Sequence, residues 1–115
     1  MKKTIFYLFL ITLYSCGGGT PVMSEDFVVG EWKYENSYFN ISWPVEFQNG
    51  KMIEDGESYV FEVDSIVGNR MYYKIGFEGK RKRDRMAFEL ISKDTLANFS
   101  LTSNKLRMDE LYIRQ

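Results

Sequence analysis

The chain contains no histidine, a single cysteine and only two prolines in 115 residues. Without histidine it lacks the side chain most often used as a general base near neutral pH and as a transition-metal ligand. With one thiol it cannot close a disulfide within itself, so stability has to come from packing. Neither sign of charge dominates, since 15 basic residues stand against 16 acidic ones for a formal net charge of −1. Such a balance provides no general attraction to nucleic acid. The sequence also has no Gly-rich phosphate loop and no nucleophile elbow. These absences predict a chain that is not an enzyme and that uses no metal and no cofactor. Apolar residues, by contrast, make up 44% and aromatic residues 17%, which is enough for one compact core.

The lone cysteine, Cys16, follows the opening MKKTIFYLFLITLYS, which has a basic start at Lys2 and Lys3, an apolar run from Ile5 to Tyr14 and a small residue at Ser15. This stretch resembles the signal peptide of a bacterial lipoprotein, with Leu13, Tyr14, Ser15 and Cys16 standing where the lipobox would be. The resemblance implies cleavage before Cys16, acylation of that residue and stable anchorage by several acyl chains in the bacterial cell envelope, at the outer membrane before the inner. An ordinary cleaved secretory signal and an uncleaved anchor are the alternatives. A spanning helix needs about 20 mostly apolar residues, whereas Thr12 and Ser15 interrupt this run and Gly17, Gly18 and Gly19 follow it. Removal of Lys2 and Lys3 would leave 13 basic residues against 16 acidic, a mature charge of about −3. From Gly17 to Asp26 the composition is that of a linker, with Thr20, Pro21 and the polar run Ser24, Glu25 and Asp26. The expected organisation is a signal peptide at 1–15, a lipidated cysteine and flexible tether at 16–26, and one domain at 27–115.

Beyond residue 26, turn signals recur every eight to twelve residues, the rhythm of an all-β meander. Eight strands are predicted, close to residues 28–35, 38–48, 51–54, 57–66, 70–78, 85–92, 95–102 and 105–114. A two-residue slip leaves a strand's faces unchanged while a one-residue slip exchanges them, so the phase of the apolar residues tests each turn. A turn at Asn36 and Ser37 would set Trp32 opposite Ile41 and Tyr34 opposite Phe39. Turns at Asn49 with Gly50 and at Asp55 with Gly56 set Phe47 opposite Met52 and Met52 opposite Tyr59. A three-residue loop from Val67 to Asn69, with Gly68 or Asn69 left-handed, would bring Val63 to Tyr73 and Phe61 to Ile75. An even-length loop around 80–84 would pair Phe77 with Met86 and Ile75 with Phe88. Turns at Lys93 with Asp94 and at Ser103 with Asn104 would pair Phe88 with Phe99, Leu90 with Ala97, Leu101 with Leu106 and Phe99 with Met108. The final strand changes phase between Met108 and Leu111, which calls for a bulge near Asp109 and Glu110. Pro44, lacking an N–H, calls for a bulge or bend in the second strand. Eight successive antiparallel strands predict an up-and-down barrel, because closure removes the exposed edges; an open or flattened sheet pair is the alternative.

Gly30, Glu31 and Trp32 on the first strand and Arg114 on the last are similar to the Gly-x-Trp motif of lipocalin-like barrels and the basic residue that packs over its tryptophan. Small bacterial lipoproteins with a lipocalin-like domain are the group this chain resembles. That resemblance implies a barrel with one plugged end and a binding role. It also implies that Arg114 stacks on the indole while bonding nearby carbonyls.

Two readings of function follow. In the first, the barrel is a lipid-anchored binding module for a small apolar ligand or an envelope partner, with Tyr34, Tyr59 and Tyr73 as candidate ligand-orienting residues on the inward phase. In the second, the interior is filled and the protein acts structurally through its surface. The volume of inward rings, which include Trp32, Phe39, Phe47, Phe77, Phe88 and Phe99, favours filling. The one concentrated charge feature, Lys80, Arg81, Lys82, Arg83 and Arg85, is the candidate surface-contact patch, suited to anionic headgroups or an acidic protein. The reading the sequence favours for it is a soluble loop that keeps the flanking strands from aggregating. The acidic residues Glu54, Asp55 and Glu57 at a hairpin tip, and Glu62 with Asp64, read as solvated surface. The expected partners are the membrane, through Cys16, and a small apolar ligand, with no nucleic acid.

Overall fold

The computed structural model describes residues 22–115. The predicted signal peptide, the lipidation site Cys16 and the tether as far as Pro21 lie outside the described residues. A one-turn helix α1 (Glu25–Val28) is followed by eight strands: β1 (Gly30–Asn36), β2 (Ile41–Gln48), β3 (Lys51–Glu54), β4 (Glu57–Val67), β5 (Arg70–Phe77), β6 (Asp84–Ser92), β7 (Thr95–Ser100) and β8 (Lys105–Arg114). Each strand pairs antiparallel with the next, and β8 returns to β1, closing an up-and-down barrel. Trp32 faces Arg114 across the closing seam and Asn36 faces Glu110. Closure gives every strand two neighbours, so no ladder is left open as a template for another chain. No helix among the described residues is long and apolar enough to cross a membrane.

The Asn49–Gly50 and Asp55–Gly56 hairpins have the expected pairings, Phe47 with Met52 and Met52 with Tyr59. Val63 meets Tyr73 and Phe61 meets Ile75, as the apolar phase requires, but by a different device. The turn is a two-residue one at Gly68 (φ +60°) and Asn69, and the extra residue is absorbed by a bulge between Val63 and Ser65. Three connections differ from expectation by even shifts that preserve the faces. Between β1 and β2 a four-residue loop sets Trp32 opposite Val45 and Tyr34 opposite Trp43, not Ile41 and Phe39. Between β5 and β6 the loop spans 78–83, so Met86 meets Tyr73 and Phe88 meets Met71. Between β7 and β8 the loop spans 101–104 and Phe99 meets Leu106, not Met108.

The first and last of these loops are built alike. Asn36 Oδ1 accepts from Phe39 N at 3.0 Å and Asn40 closes the loop with φ +56°. Ser100 Oγ accepts from Ser103 N at 3.2 Å and Asn104 closes with φ +57°. In each, a side-chain acceptor three residues ahead of its donor holds the loop closed.

A bulge between Leu90 and Ser92 sets Leu90 opposite Leu96 and Phe88 opposite Asn98, displacing the expected Ala97 and Phe99. The last strand does break phase where expected: Asn98 pairs with Arg107 but Ala97 with Leu111, leaving Met108, Asp109 and Glu110 unpaired on that side. Pro44 produces no bulge, for β2 pairs with β1 in one unbroken register. Its carbonyl accepts from Asp55 N at 3.0 Å. In a strand the N–H and C=O of one residue point to the same side, so its missing donor falls where the β2–β3 ladder has already ended at Val45 and Glu54.

The strand directions define two ends. One holds the hairpins at 49–50, 68–69 and 93–94 together with α1, and it is plugged. Trp32, Phe47, Phe88, Met71 and Leu96 are each no more than 1% exposed. Phe88 packs edge-on to Phe47 at 5.7 Å and tilts against Tyr73 at 4.9 Å. Each such ring or aliphatic chain contributes roughly 1.5–3 kcal/mol of transfer free energy.

The helix belongs to this plug rather than to a tether. Ser24 caps it, accepting from Phe27 N at 3.0 Å, with Glu25 and Asp26 in the first turn where carboxylates suit the helix dipole. Met23 and Val28 are buried, so the domain begins at least four residues before the expected start at 27. Trp32 Nε1 donates to Val28 O at 2.8 Å. Arg114 holds its guanidinium carbon 4.3 Å from the indole centroid and 4.7 Å from that of Phe27, and donates to Phe27 O at 2.6 Å. Gly30 (φ +139°) lies beneath it, and a Cβ there would come within 3.4 Å of Arg114 Nη1. The stacking and carbonyl contact expected of Arg114 are therefore both present.

Candidate functional site

The opposite end, ringed by the loops at 37–40, 55–56, 78–83 and 101–104, is hollow. A cavity of about 610 Å³ opens there, within the range of small-molecule sites. The interior is thus packed solid at the α1 end and gives way to an open cavity at the other, floored by the buried Tyr34, Met52, Tyr73 and Tyr112, whereas ring volume alone favoured filling throughout. Two of the rings expected inside stand at this mouth instead, Phe39 at 66% and Phe77 at 55% exposure.

The candidate residues Tyr34, Tyr59 and Tyr73 all line the cavity, brought together from β1, β4 and β5. Trp43 and Tyr112 complete the aromatic wall. Tyr34 is its centre, with ring centroids 4.8 Å from Trp43 and 5.3 Å from Tyr112. Met52, Ile75 and Met86 supply aliphatic surface between the rings.

Polar groups are few and mostly acceptors. Glu54 accepts from Trp43 Nε1 at 2.9 Å. Glu110 accepts from Asn98 Nδ2 at 2.9 Å and from the Tyr34 hydroxyl at 3.4 Å, and its other oxygen lies 3.2 Å from Arg107. Asn36 Nδ2 donates to the Tyr34 hydroxyl at 3.2 Å, tying the β1 end to the same network. Asn98 Oδ1 is buried without a partner.

This environment keeps the tyrosines neutral. Burial, followed by the fields of Glu54 and Glu110, pushes the Tyr73 hydroxyl far above its ordinary range. Burial does the same to Tyr112, with Tyr73 and Glu54 adding to it. Tyr34 is raised by burial and by both glutamates, against a hydrogen bond from Asn36 that favours its anion. Tyr59 is raised by its partial burial and by Glu57 and Glu54. Each hydroxyl therefore remains a donor well past neutral pH.

The basic cluster is divided by the loop at 78–83. Lys80 and Lys82 line the lip of the cavity. Arg83 turns back, donating to the carbonyls of Lys80 and Lys82 and lying 3.9 Å from Glu62. Arg81 and Arg85 are exposed, and Arg85 sits in β6 opposite Lys74. This fold of the loop needs Gly76, where a Cβ would fall 2.2 Å from Lys82 O.

Sequence reasoning overlooked Trp43, Glu54, Glu110 and Tyr112. Alternation held the signal for the first two, since Trp43 is in phase with Val45 and Phe47 and Glu54 with Met52. Glu54 is not the solvated tip residue expected, because its carboxylate turns inward to the indole N–H. Among the other carboxylates, Asp64 lies at the β4 bulge with Lys74 at 3.6 Å. No group of three or more acidic or cysteine side chains among the described residues is placed to hold a metal ion. No protein-family model, curated protein or solved structure matches the chain.

Proposed function

We propose that this protein is a lipid-anchored ligand-binding module of the bacterial cell envelope, of lipocalin-like type, whose partly filled barrel takes a small, largely apolar ligand at its open end. The observation that carries the reading is the cavity itself: about 610 Å³, lined by six aromatic residues drawn from five strands, all on the inward phase. A barrel selected only for stability would close such a space with side chains, since each unfilled methyl-sized void costs about 1 kcal/mol. The opening of the mouth between four loops gives a ligand a route in. The neutral tyrosine hydroxyls and the Asn98 amide supply a few orienting polar groups on an otherwise apolar wall.

The lipid anchor rests on the N-terminal sequence, with its basic start, apolar run and Ser15–Cys16 junction. The neutral probe N-phenyl-1-naphthylamine tests the binding role. The full chain should enhance and blue-shift its fluorescence in a saturable, one-to-one manner, and Ile75→Trp, which puts an indole into the cavity, should abolish that signal. Enhancement that never saturates, or that survives Ile75→Trp undiminished, would overturn the proposal.

A further inference from the structure

The charge inside the cavity is not matched by charge inside the protein. Of the three carboxylates that line it, Asp84 is exposed to solvent and Glu110 is neutralised by Arg107 at 3.2 Å. Glu54 makes no ion pair among the described residues, and its one strong contact is a neutral donor, Trp43 Nε1. Three donors of the wall are already committed, the indole of Trp43 to Glu54 and the Tyr34 hydroxyl and Asn98 amide nitrogen to Glu110, while the neutral hydroxyls of Tyr73 and Tyr112 also line it. Unused acceptors stand there too: the free oxygen of Glu54 and, buried behind the wall, the Oδ1 of Asn98, which has no partner.

Around these acceptors stand the rings of Tyr34, Trp43, Tyr59, Tyr73 and Tyr112. A wall of electron-rich ring faces beside an unpaired carboxylate attracts a cation far more than an anion or a neutral group, and more strongly out of water than in it. The field felt by the tyrosines has the same sign. Glu54 raises the hydroxyl pKa of all four and Glu110 that of Tyr34 and Tyr73. Lys80 and Lys82, the cations nearest the cavity, are exposed on the lip, where water screens them.

We infer that the ligand is an organic cation, an amine or quaternary ammonium carried on an apolar body, with Glu54 as its counter-ion and the tyrosine and tryptophan rings as its cage. The inference rests on the cavity being a ligand site, and the test separates the two. Octyltrimethylammonium, octanol and octanoate, which share one tail and differ in head-group charge, are titrated into the full chain below their micelle concentrations, with calorimetric readout.

The cation should bind about tenfold or more tighter than the alcohol, with octanoate weakest, as a cation–π contact plus a partly buried ion pair would give. In Glu54→Gln, which keeps a carbonyl for Trp43 Nε1, the ratio of cation to alcohol affinity should fall about tenfold. An unchanged near-ultraviolet circular dichroism spectrum would certify its fold. Equal affinities for cation and alcohol, or a ratio untouched by Glu54→Gln, would overturn the charge assignment while leaving the apolar site intact. Preference for octanoate that disappears in Lys80→Ser/Lys82→Ser would assign selectivity to the lip instead. Failure of all three probes would remove the binding role itself.

Discussion

Truncating Trp32 to alanine tests the plugged end most directly. The indole is 1% exposed and sits between Phe27 at 6.3 Å and Phe47 at 6.5 Å, beneath the Arg114 guanidinium. Removing a buried tryptophan costs about 3–5 kcal/mol through lost transfer free energy and the space left behind. Two further losses accompany it: the carbonyl of Val28 gives up its donor, worth about 1–3 kcal/mol when the group stays dry, and Arg114 loses a ring face worth about 0.5–2 kcal/mol. These overlap with the truncation, so the safe figure is its lower bound of about 3 kcal/mol. For a domain of this size each kcal/mol lowers the thermal midpoint by about 4–8 °C, so a fall of at least about 12 °C is expected. Trp32→Phe keeps most of the apolar volume but loses the N–H and part of the fused ring, and should cost about 1–3 kcal/mol. Thermal unfolding followed by far-ultraviolet circular dichroism gives both values. A midpoint for Trp32→Ala within about 4 °C of the parent, or two variants that melt alike, would refute the reasoning.

The remaining predictions concern the N-terminus, the tyrosines and the basic loop. Cys16→Ser should leave an unprocessed, slower-migrating protein that incorporates no labelled palmitate; normal labelling would dismiss the lipobox. Because the native pKa values of Tyr73 and Tyr112 lie above the unfolded value near 10, their burial contributes stability that is complete below about pH 10 and lost above it, at about 1.4 kcal/mol per pH unit for each. Thermal midpoints should therefore begin to fall near pH 10, with tyrosinate absorbance from these two residues appearing only on unfolding. Gly76→Ala should drive the 78–83 loop off the outer face, since the new Cβ would overlap Lys82 O, at a cost of about 1–3 kcal/mol. Faster tryptic cleavage between residues 80 and 83 would report that displacement.

Strand positions were legible because period-two alternation survives most connections, and three of the wrong loop lengths erred by even numbers; the turn at 68–69 erred by one, and the bulge at Ile91 turned Asn98 inward in place of Phe99. Loop length was less legible. Asn36 and Ser37 look like a two-residue turn, but the Asn36 side chain reaches Phe39 N and Asn40 takes the left-handed position, so the turn lies further on. The bulges at Asp64 and Ile91 carry no local signal and follow from closing the barrel with the rings in phase. At the site, Tyr34, Tyr59 and Tyr73 could be read from alternation. Glu54 shares the phase of Met52, yet its place beside a turn, where acidic residues are ordinarily solvated, masks that signal. Its inward aim depends on an indole contributed by the neighbouring strand.

The clasp of Arg114 on Phe27 O and Trp32 also fixes how the barrel is presented. The described chain runs into the fold through Met23 and α1 at the plugged end, so the vestibule opens at the end of the barrel away from that entry. Traffic in and out of the vestibule would pass Lys80 and Lys82 and leave the Arg114 clasp undisturbed.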